Sequence, residues 1–192
     1  MKKLIFTFCF LLSLGAIRAE AFKINENRAS FGAGLGWNSG VGNFSTNLPS
    51  PNALVERSVI PLNFGMISIG AQFGFHHGFQ NVNLPGGRQR ESGTAVYFLP
   101  RMSLYFHEAF YNSDDYDFPR NLDLYTGIGI GFNHLAHKPL SIHRNYPDGD
   151  TGFNFGMSFF IGARYYFKPH VAAFAELGYG LSLLNVGLTI RY

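Results

Sequence analysis

Residues 174–192 read FAELGYGLSLLNVGLTIRY, and this stretch indicates the fold class more clearly than any other. Toward its end, apolar residues occupy every second position, and the positions between them hold Asn, Gly, Thr and Arg. A helix repeats every ~3.6 residues, so this alternation predicts strands. One face suits hydrocarbon and the other is small or polar, as in a strand between lipid and a polar lumen. We therefore predict the closing hairpin of an outer-membrane β-barrel.

The amino-terminal segment has the pattern of an export signal. Two lysines precede an apolar run over residues 4–16, and an Ala-Glu-Ala sequence follows at residues 19–21. The run is shorter than the roughly 20 residues that a membrane-spanning helix needs. We expect residues 1–21 to be a cleaved signal peptide and residues 22–192 to form the outer-membrane β-barrel domain. Cleavage after Ala19 is the alternative.

Charge and cysteine content exclude several classes of partner. The formal net charge is +3, but Lys2, Lys3, Arg18 and Glu20 belong to the expected signal, which leaves 15 − 3 = 12 basic against 12 − 1 = 11 acidic residues. A nearly neutral mature chain gives no support to nucleic-acid binding. The single cysteine, Cys9, also lies in the expected signal, so we expect no thiol chemistry in the mature protein.

Alternation along the chain predicts eight strands, although the path of the second stays open. The predicted strands are residues 30–38, 58–64, 66–76, 94–106, 122–132, 153–167, 171–180 and 183–192. Long polar connections (39–57, 77–93 and 133–152) fall on the side expected to face outward, and the turns at 65 and 168–170 are short. This arrangement is typical of an all-β, eight-stranded antiparallel up-and-down transmembrane β-barrel. The fourth connection, 107–121, and the short seventh one depart from it.

The alternative fold is a secreted β-sandwich, which would bury its apolar face and expose Lys, Glu and Thr. Here the polar phase consists mostly of Gly, Ser, Asn and Tyr, and the predicted outward positions carry no charge. The barrel is favoured because a charge at the bilayer midplane costs about 2–4 kcal/mol. Outward aromatic residues near the two rims fit an interfacial girdle: Trp37, Phe75, Phe132 and Tyr179 near the outer rim, and Phe64, Phe106, Tyr165, Phe167 and Tyr192 near the inner rim.

Three segments, LYTGIGIGF (124–132), GARYYF (162–167) and FAELGYG (174–180), together with Tyr192, carry a family resemblance. The chain resembles the small bacterial outer-membrane β-barrel protein family, and is similar to the outer-membrane protein A transmembrane domain. The resemblance implies a location in the outer membrane of a Gram-negative bacterium. It also implies insertion by the outer-membrane barrel assembly machinery, with Tyr192 as the assembly signal. We expect a monomer in contact with outer-membrane lipid and lipopolysaccharide.

Five charged residues fall in the inward phase: Arg101, Asp123, Arg164, Glu176 and Arg191. The interior of an eight-stranded barrel is only wide enough for side chains to fill it. We therefore predict that these residues form a lumen charge network that plugs the barrel. The alternative is a narrow small-solute channel lined by a net positive ring.

Histidines near the outer side raise the question of a metal site, because zinc needs three or four converging ligands. The candidates are His76, His77, His134, His137 and His143. They fall in predicted external connections, where their spacing does not imply convergence, so we expect no metal and no cofactor.

A lipid-A-modifying barrel enzyme is a further alternative. Ser141 and His143 are close in sequence, with Asp148 and Asp150 nearby. They lie in a predicted loop and lack the His-x-Ser order of the lipid A deacylases, so we predict a non-enzymatic protein. Structural or adhesin-like surface binding would then reside in external loops such as residues 43–52 or 81–90.

Overall fold

The computed structural model describes residues 24–35, 46–84, 87–106, 119, 121–138 and 152–192. None of these residues forms a helix long and apolar enough to span a membrane. The described residues contain nine strands: β1 (Asn27–Leu35), β2 (Thr46–Asn47), β3 (Ser50–Leu62), β4 (Gly65–Leu84), β5 (Gly87–Tyr105), β6 (Leu122–Lys138), β7 (Gly152–Lys168), β8 (Val171–Tyr179) and β9 (Leu184–Arg191).

Eight of these strands close into a ring. From β3 to β9 each strand pairs antiparallel with the next, β1 pairs with β3, and the pairing of β1 with β9 completes the circle. The two-residue β2 pairs only with β4, outside this ring. The predicted eight-stranded antiparallel up-and-down barrel is confirmed.

The barrel is polar inside and apolar outside. On β7, for example, Ser158 and Arg164 are buried, whereas Phe159 and Ile161 are exposed. The same alternation holds on the other long strands, as the predicted strand phases require. A water-soluble fold would hide these apolar side chains. A closed barrel with this exterior has satisfied backbone groups and an apolar belt, which are the requirements for crossing a bilayer with strands.

The second barrel strand differs from the prediction. Strand β3 covers Ser50–Leu62, so the predicted external connection over residues 39–57 and the short strand over 58–64 were wrong. Pro51 and Arg57 stand in the outward phase and interrupt its apolar pattern, which hid the strand in the sequence. Pairing with both β1 and β4 holds β3 in place. Its inward side chains therefore belong to the lumen.

Strands β4 and β5 are much longer than predicted. They pair continuously up to Leu84 and Gly87, so the predicted long connection over residues 77–93 was wrong. Strand β6 likewise extends to Lys138, beyond the predicted start of the fifth connection at residue 133. Within the described chain, residues 80–84 and 87–91 pair only with each other. Five residues at ~3.3 Å each extend this ribbon roughly 16 Å beyond the described parts of its neighbouring strands.

The other described turns are short. Strands β3 and β4 are joined through residues 63–64, and β7 and β8 through residues 169–170, as the prediction of short inner turns requires. At the outer side, β8 ends at Tyr179 and β9 begins at Leu184. Gly180 starts this tight turn with φ = 110°, a conformation that residues with a Cβ rarely adopt. Most of the predicted fourth connection, 107–121, lies outside the described residues.

Candidate functional site in the barrel interior

The inward phase of the long strands brings charged side chains together in the lumen. Glu56 comes from β3, Arg101 from β5, Arg164 from β7 and Glu176 from β8, and all four are buried. Strand β6 makes room for them because it presents glycine inward. A Cβ on Gly127 would clash with the ring of Phe160, which packs into the barrel.

Glu56 is the centre of one cluster. Its carboxylate accepts hydrogen bonds from Arg164 Nη2 at 2.7 Å, from Ser103 Oγ at 2.9 Å and from Tyr105 Oη at 3.0 Å. Arg101 Nε lies 3.4 Å from the same carboxylate. Arg164 also donates to the Tyr105 hydroxyl. One acid thus joins side chains of β3, β5 and β7.

Glu176 is the centre of a second cluster that shares Arg101. It accepts hydrogen bonds from Arg101 Nη2 at 2.8 Å, from Tyr125 Oη at 2.9 Å and from Asn185 Nδ2 at 3.1 Å. Asn185 in turn accepts a hydrogen bond from Asn52 Nδ2 at 2.9 Å. Because Arg101 contacts both acids, the two clusters form one network across the lumen.

A third cluster lies where β1, β6 and β9 meet. Arg28 Nη2 is 3.1 Å from Asp123 Oδ2 and 4.0 Å from Glu26 Oε2. Arg191 Nε is 2.7 Å from Glu26 Oε1. Here too each guanidinium group faces a carboxylate.

Aromatic rings cover the arginines. The guanidinium carbon of Arg101 lies 3.7 Å from the centre of the Phe160 ring, and that of Arg164 lies 4.8 Å from the centre of the Tyr125 ring. Cations are attracted to the faces of aromatic rings at these distances. The planar guanidinium groups are therefore held between carboxylates and rings, which limits their movement.

Each of the five charged residues predicted to lie in the lumen forms an ion pair. Arg101 and Glu176 are paired, as their mid-strand positions suggested. Arg164 pairs with Glu56, Asp123 with Arg28, and Arg191 with Glu26. None of these three partners was predicted to lie in the lumen. Glu26 and Arg28 precede the predicted first strand, and Glu56 fell in a predicted loop. The alternation of Ser, Asn, Leu, Glu and Ser at positions 50–58 was the available signal.

The three added residues change the charge of the interior. The five predicted residues carry 3 − 2 = +1, whereas the eight residues of the three clusters carry 4 − 4 = 0. The channel alternative required a net positive ring. The eight charged residues of the described interior instead carry no net charge.

The described histidines do not form a metal centre. His76 Nδ1 is hydrogen-bonded to Ser50 Oγ inside the outer end of the barrel, and His77 Nδ1 to Thr94 Oγ1 at 2.9 Å. Among the described residues, no group of three His, Cys, Asp or Glu side chains could hold a metal ion. The side chain of His137 and all of residues 139–151, which include Ser141, His143, Asp148 and Asp150, lie outside the described part.

The aromatic residues of the predicted girdle stand on the outer surface where they are described. Phe75, Phe132, Tyr179 and Tyr192 are exposed, with Tyr192 reaching 69 %. Tyr165 and Phe167 are half-buried, and Trp37 lies outside the described residues. Their use as membrane anchors stays a prediction.

Empty space is unevenly distributed between the two faces of the barrel. A groove of about 740 Å³ includes outward residues of β3, β4 and β5, among them Val55, Ile69 and Met102. Next to Gln72, Glu176 and Asn185 in the lumen, the space is only about 20 Å³. That volume holds about one water molecule.

No protein-family model and no curated protein matches the chain. Among solved structures, it is similar to Ail, the attachment invasion locus protein of Yersinia pestis, in complex with the heparin analogue sucrose octasulfate (11% identity, 88% of this chain, 100% of that chain, TM-score 0.47). It is also similar to the N-terminal β-barrel domain of Pseudomonas aeruginosa OprF (11% identity, 88% and 98% coverage, TM-score 0.43).

Closed barrels with an apolar exterior and short inner turns are the form in which strands cross the outer membrane of Gram-negative bacteria. This chain has the closed ring, the exposed apolar belt and the polar interior. The chain thus has the fold of a small eight-stranded transmembrane β-barrel.

Proposed function

We propose that the protein is a non-enzymatic outer-membrane barrel with a plugged lumen, which anchors an external hairpin for structural or adhesin-like surface binding. The observation that carries the proposal is the buried, charge-balanced network that joins Glu56, Arg101, Arg164 and Glu176.

The plug is supported by the cost of opening it. An ion moving along the lumen would have to separate Arg101 from Glu176 or Arg164 from Glu56, and all four side chains are almost fully buried. Breaking a buried ion pair costs about 3–5 kcal/mol. The rings of Phe160 and Tyr125 cover the two guanidinium groups and leave them little room to turn aside.

The surface role is supported by the long β4–β5 hairpin. Residues 80–84 and 87–91 continue past the described parts of the neighbouring strands, and they include most of residues 81–90, one of the two predicted binding regions. A rigid barrel that carries a protruding polar segment is a common arrangement for binding. Its strand edges also offer backbone groups to an extended partner.

Planar-bilayer recording tests the plug. The native protein is expected to show no discrete openings, whereas the double variant Arg101→Ala/Glu176→Ala removes a central pair and is expected to conduct. Reproducible openings of the native barrel would contradict the plug and favour the small-solute channel.

Two hairpin variants test the binding role. One replaces residues 80–91 by Asn-Gly, which suits a two-residue turn between paired strands, and the other keeps the length but alternates Thr and Ser. Bacteria expressing each variant are compared with the native protein for adherence to an epithelial cell monolayer. We expect both variants to reduce adherence at equal surface amounts. Unchanged adherence in both would exclude the hairpin as the binding element.

Incubation with lipopolysaccharide followed by mass spectrometry tests the enzyme alternative. We expect the lipid A mass to stay unchanged. A deacylated or acylated product that appears only with folded protein would overturn the non-enzymatic assignment.

A further inference from the structure

The barrel wall is uneven at its outer end, between β7 and the β8–β9 turn. Strand β7 begins at Gly152, but its pairing with β8 reaches only to Phe159 opposite Tyr179. Residues 152–158 therefore extend past the end of β8 and, in the described structure, pair only with β6. We call this region the wall gap.

A cavity of about 310 Å³ lies at the wall gap and has two kinds of lining. Tyr97 and Leu99 point into the barrel and are 5 % and 3 % exposed. Phe155 and Tyr179 stand on the outer surface and are more than half exposed. The cavity therefore borders both the upper lumen and the apolar exterior of the barrel.

An unsatisfied acceptor lies in the inner wall of this cavity. Asn133 lines the cavity and is only 8 % exposed, and its Oδ1 has no hydrogen-bond partner among the described residues. A buried polar atom without a partner is costly. The atom itself has almost no accessible surface, so a donor group in the cavity reaches it once the Asn133 amide turns toward the cavity.

Gly156 keeps the cavity open from the β7 side. It belongs to the lining, and a Cβ added there would meet nothing within 4 Å. At Gly127, by contrast, a Cβ would clash with neighbouring atoms, so close packing requires glycine there but not at Gly156. A larger side chain at Gly156 would fill the cavity without striking the backbone.

We propose that the wall gap binds a single-chain amphiphile that enters from the outer leaflet. Its alkyl chain lies against Phe155, Met157 and Tyr179, and its hydroxyl or other donor group hydrogen-bonds to Asn133 Oδ1. The aromatic and thioether side chains supply an apolar surface of the kind that lines small-molecule sites. A cavity at the lower end of the usual range of about 300–1,000 Å³ selects a short chain.

Titration of the barrel in phosphatidylcholine nanodiscs with 1-decanol, followed by NMR, tests the proposal. The Asn133 side-chain amide is expected to shift and to saturate. The methyl ether of 1-decanol lacks the donor and is expected to bind about tenfold more weakly. Equal affinity for the alcohol and the ether, or a shift that never saturates, would overturn the site.

Three variants locate the site. Gly156→Phe fills the cavity and is expected to weaken decanol binding at least about tenfold. Gly152→Phe is the matched control on the same strand, since a Cβ there also meets open space but the residue does not line the cavity. It is expected to bind decanol as the native protein does. Native affinity in a folded Gly156→Phe barrel would refute the proposal.

Asn133→Leu gives an independent test that holds even if Gly156→Phe fails to fold. It removes the acceptor, so the preference for decanol over its ether, now read from the backbone amide of Gly156 in the cavity lining, is expected to fall from about tenfold to about onefold. A preference that persists in this variant would show that Asn133 does not receive the hydrogen bond. Folding of every variant is checked by its unboiled gel mobility.

Discussion

Replacing Glu56 by Gln is expected to destabilise the barrel strongly. The substitution preserves the size of the side chain but removes the charge that faces two guanidinium groups. Arg101 keeps its 2.8 Å contact with Glu176, whereas Arg164 loses the carboxylate at 2.7 Å that it pairs with. The lumen clusters change from a balanced charge to +1, and the unpaired cation is fully buried.

The magnitude follows from that burial. Removing one partner of a buried ion pair costs about 3–5 kcal/mol because the remaining charge cannot be hydrated. Both Glu56 and Arg164 have almost no solvent exposure, so screening by water does not reduce the effect. In Gln, an amide NH2 group replaces one carboxylate oxygen. This group either points a donor at Arg164 or removes an acceptor from the hydroxyls of Ser103 and Tyr105, which donate to Glu56.

The assay is urea unfolding of the barrel in lipid vesicles, with the folded fraction read from unboiled gel mobility. Arg57→Gln is the matched control, because it removes a charge at the next position of the same strand. Arg57 faces outward and donates a long, exposed hydrogen bond to Asn25, so we expect a change of less than about 1 kcal/mol. If Glu56→Gln destabilises the barrel no more than Arg57→Gln does, the ion pair of Glu56 with Arg164 does not stabilise the fold.

The double variant Glu56→Gln/Arg164→Met separates charge from packing. Removing both members of the pair avoids the unpaired cation, and exchange of a buried pair for apolar groups is often neutral or stabilising. We expect the double variant to recover about 1–3 kcal/mol relative to Glu56→Gln alone. No recovery would mean that Glu56 acts through its shape and its hydroxyl contacts.

Three further predictions address the wall and its assembly. Ile128→Arg places a charge on the exposed outer face of β6 and should lower the free energy of unfolding in lipid by about 2–4 kcal/mol. The control Ile24→Arg lies outside the strands and should be nearly neutral. Equal effects of the two variants in urea unfolding would argue against a lipid belt. Gly187→Val should destabilise the barrel by about 1–3 kcal/mol, because a Cβ there meets the Phe31 carbonyl across the β1–β9 closure, and a native midpoint would contradict that packing. Tyr192→Ala should lower the folded yield in cells more than Tyr179→Ala does, as measured by the heat-modifiable band in outer-membrane fractions, and equal yields would remove the terminal aromatic as an assembly signal.

The outward and inward phases of the strands could be predicted because side chains alternate locally in any extended segment. Phe159 and Ile161 on β7, and the small or charged residues between them, have the same phase in the structure as in the sequence pattern. The prediction failed on β3, where Pro51 and Arg57 replace apolar residues in the outward phase. It also failed on the ends of β4 and β5, because above the membrane no hydrocarbon requires an apolar face.

The fold class, the outward face of most barrel strands and the presence of charges in the lumen follow from the sequence alone. Which charges meet depends on the tertiary structure, since Glu56 and Arg164 are 108 residues apart and come together through barrel closure and strand register. The wall gap was likewise invisible in the sequence, because it depends on where β8 stops relative to its neighbour β7. Local alternation is a property of single strands, whereas pairing and cavities depend on how distant strands are aligned.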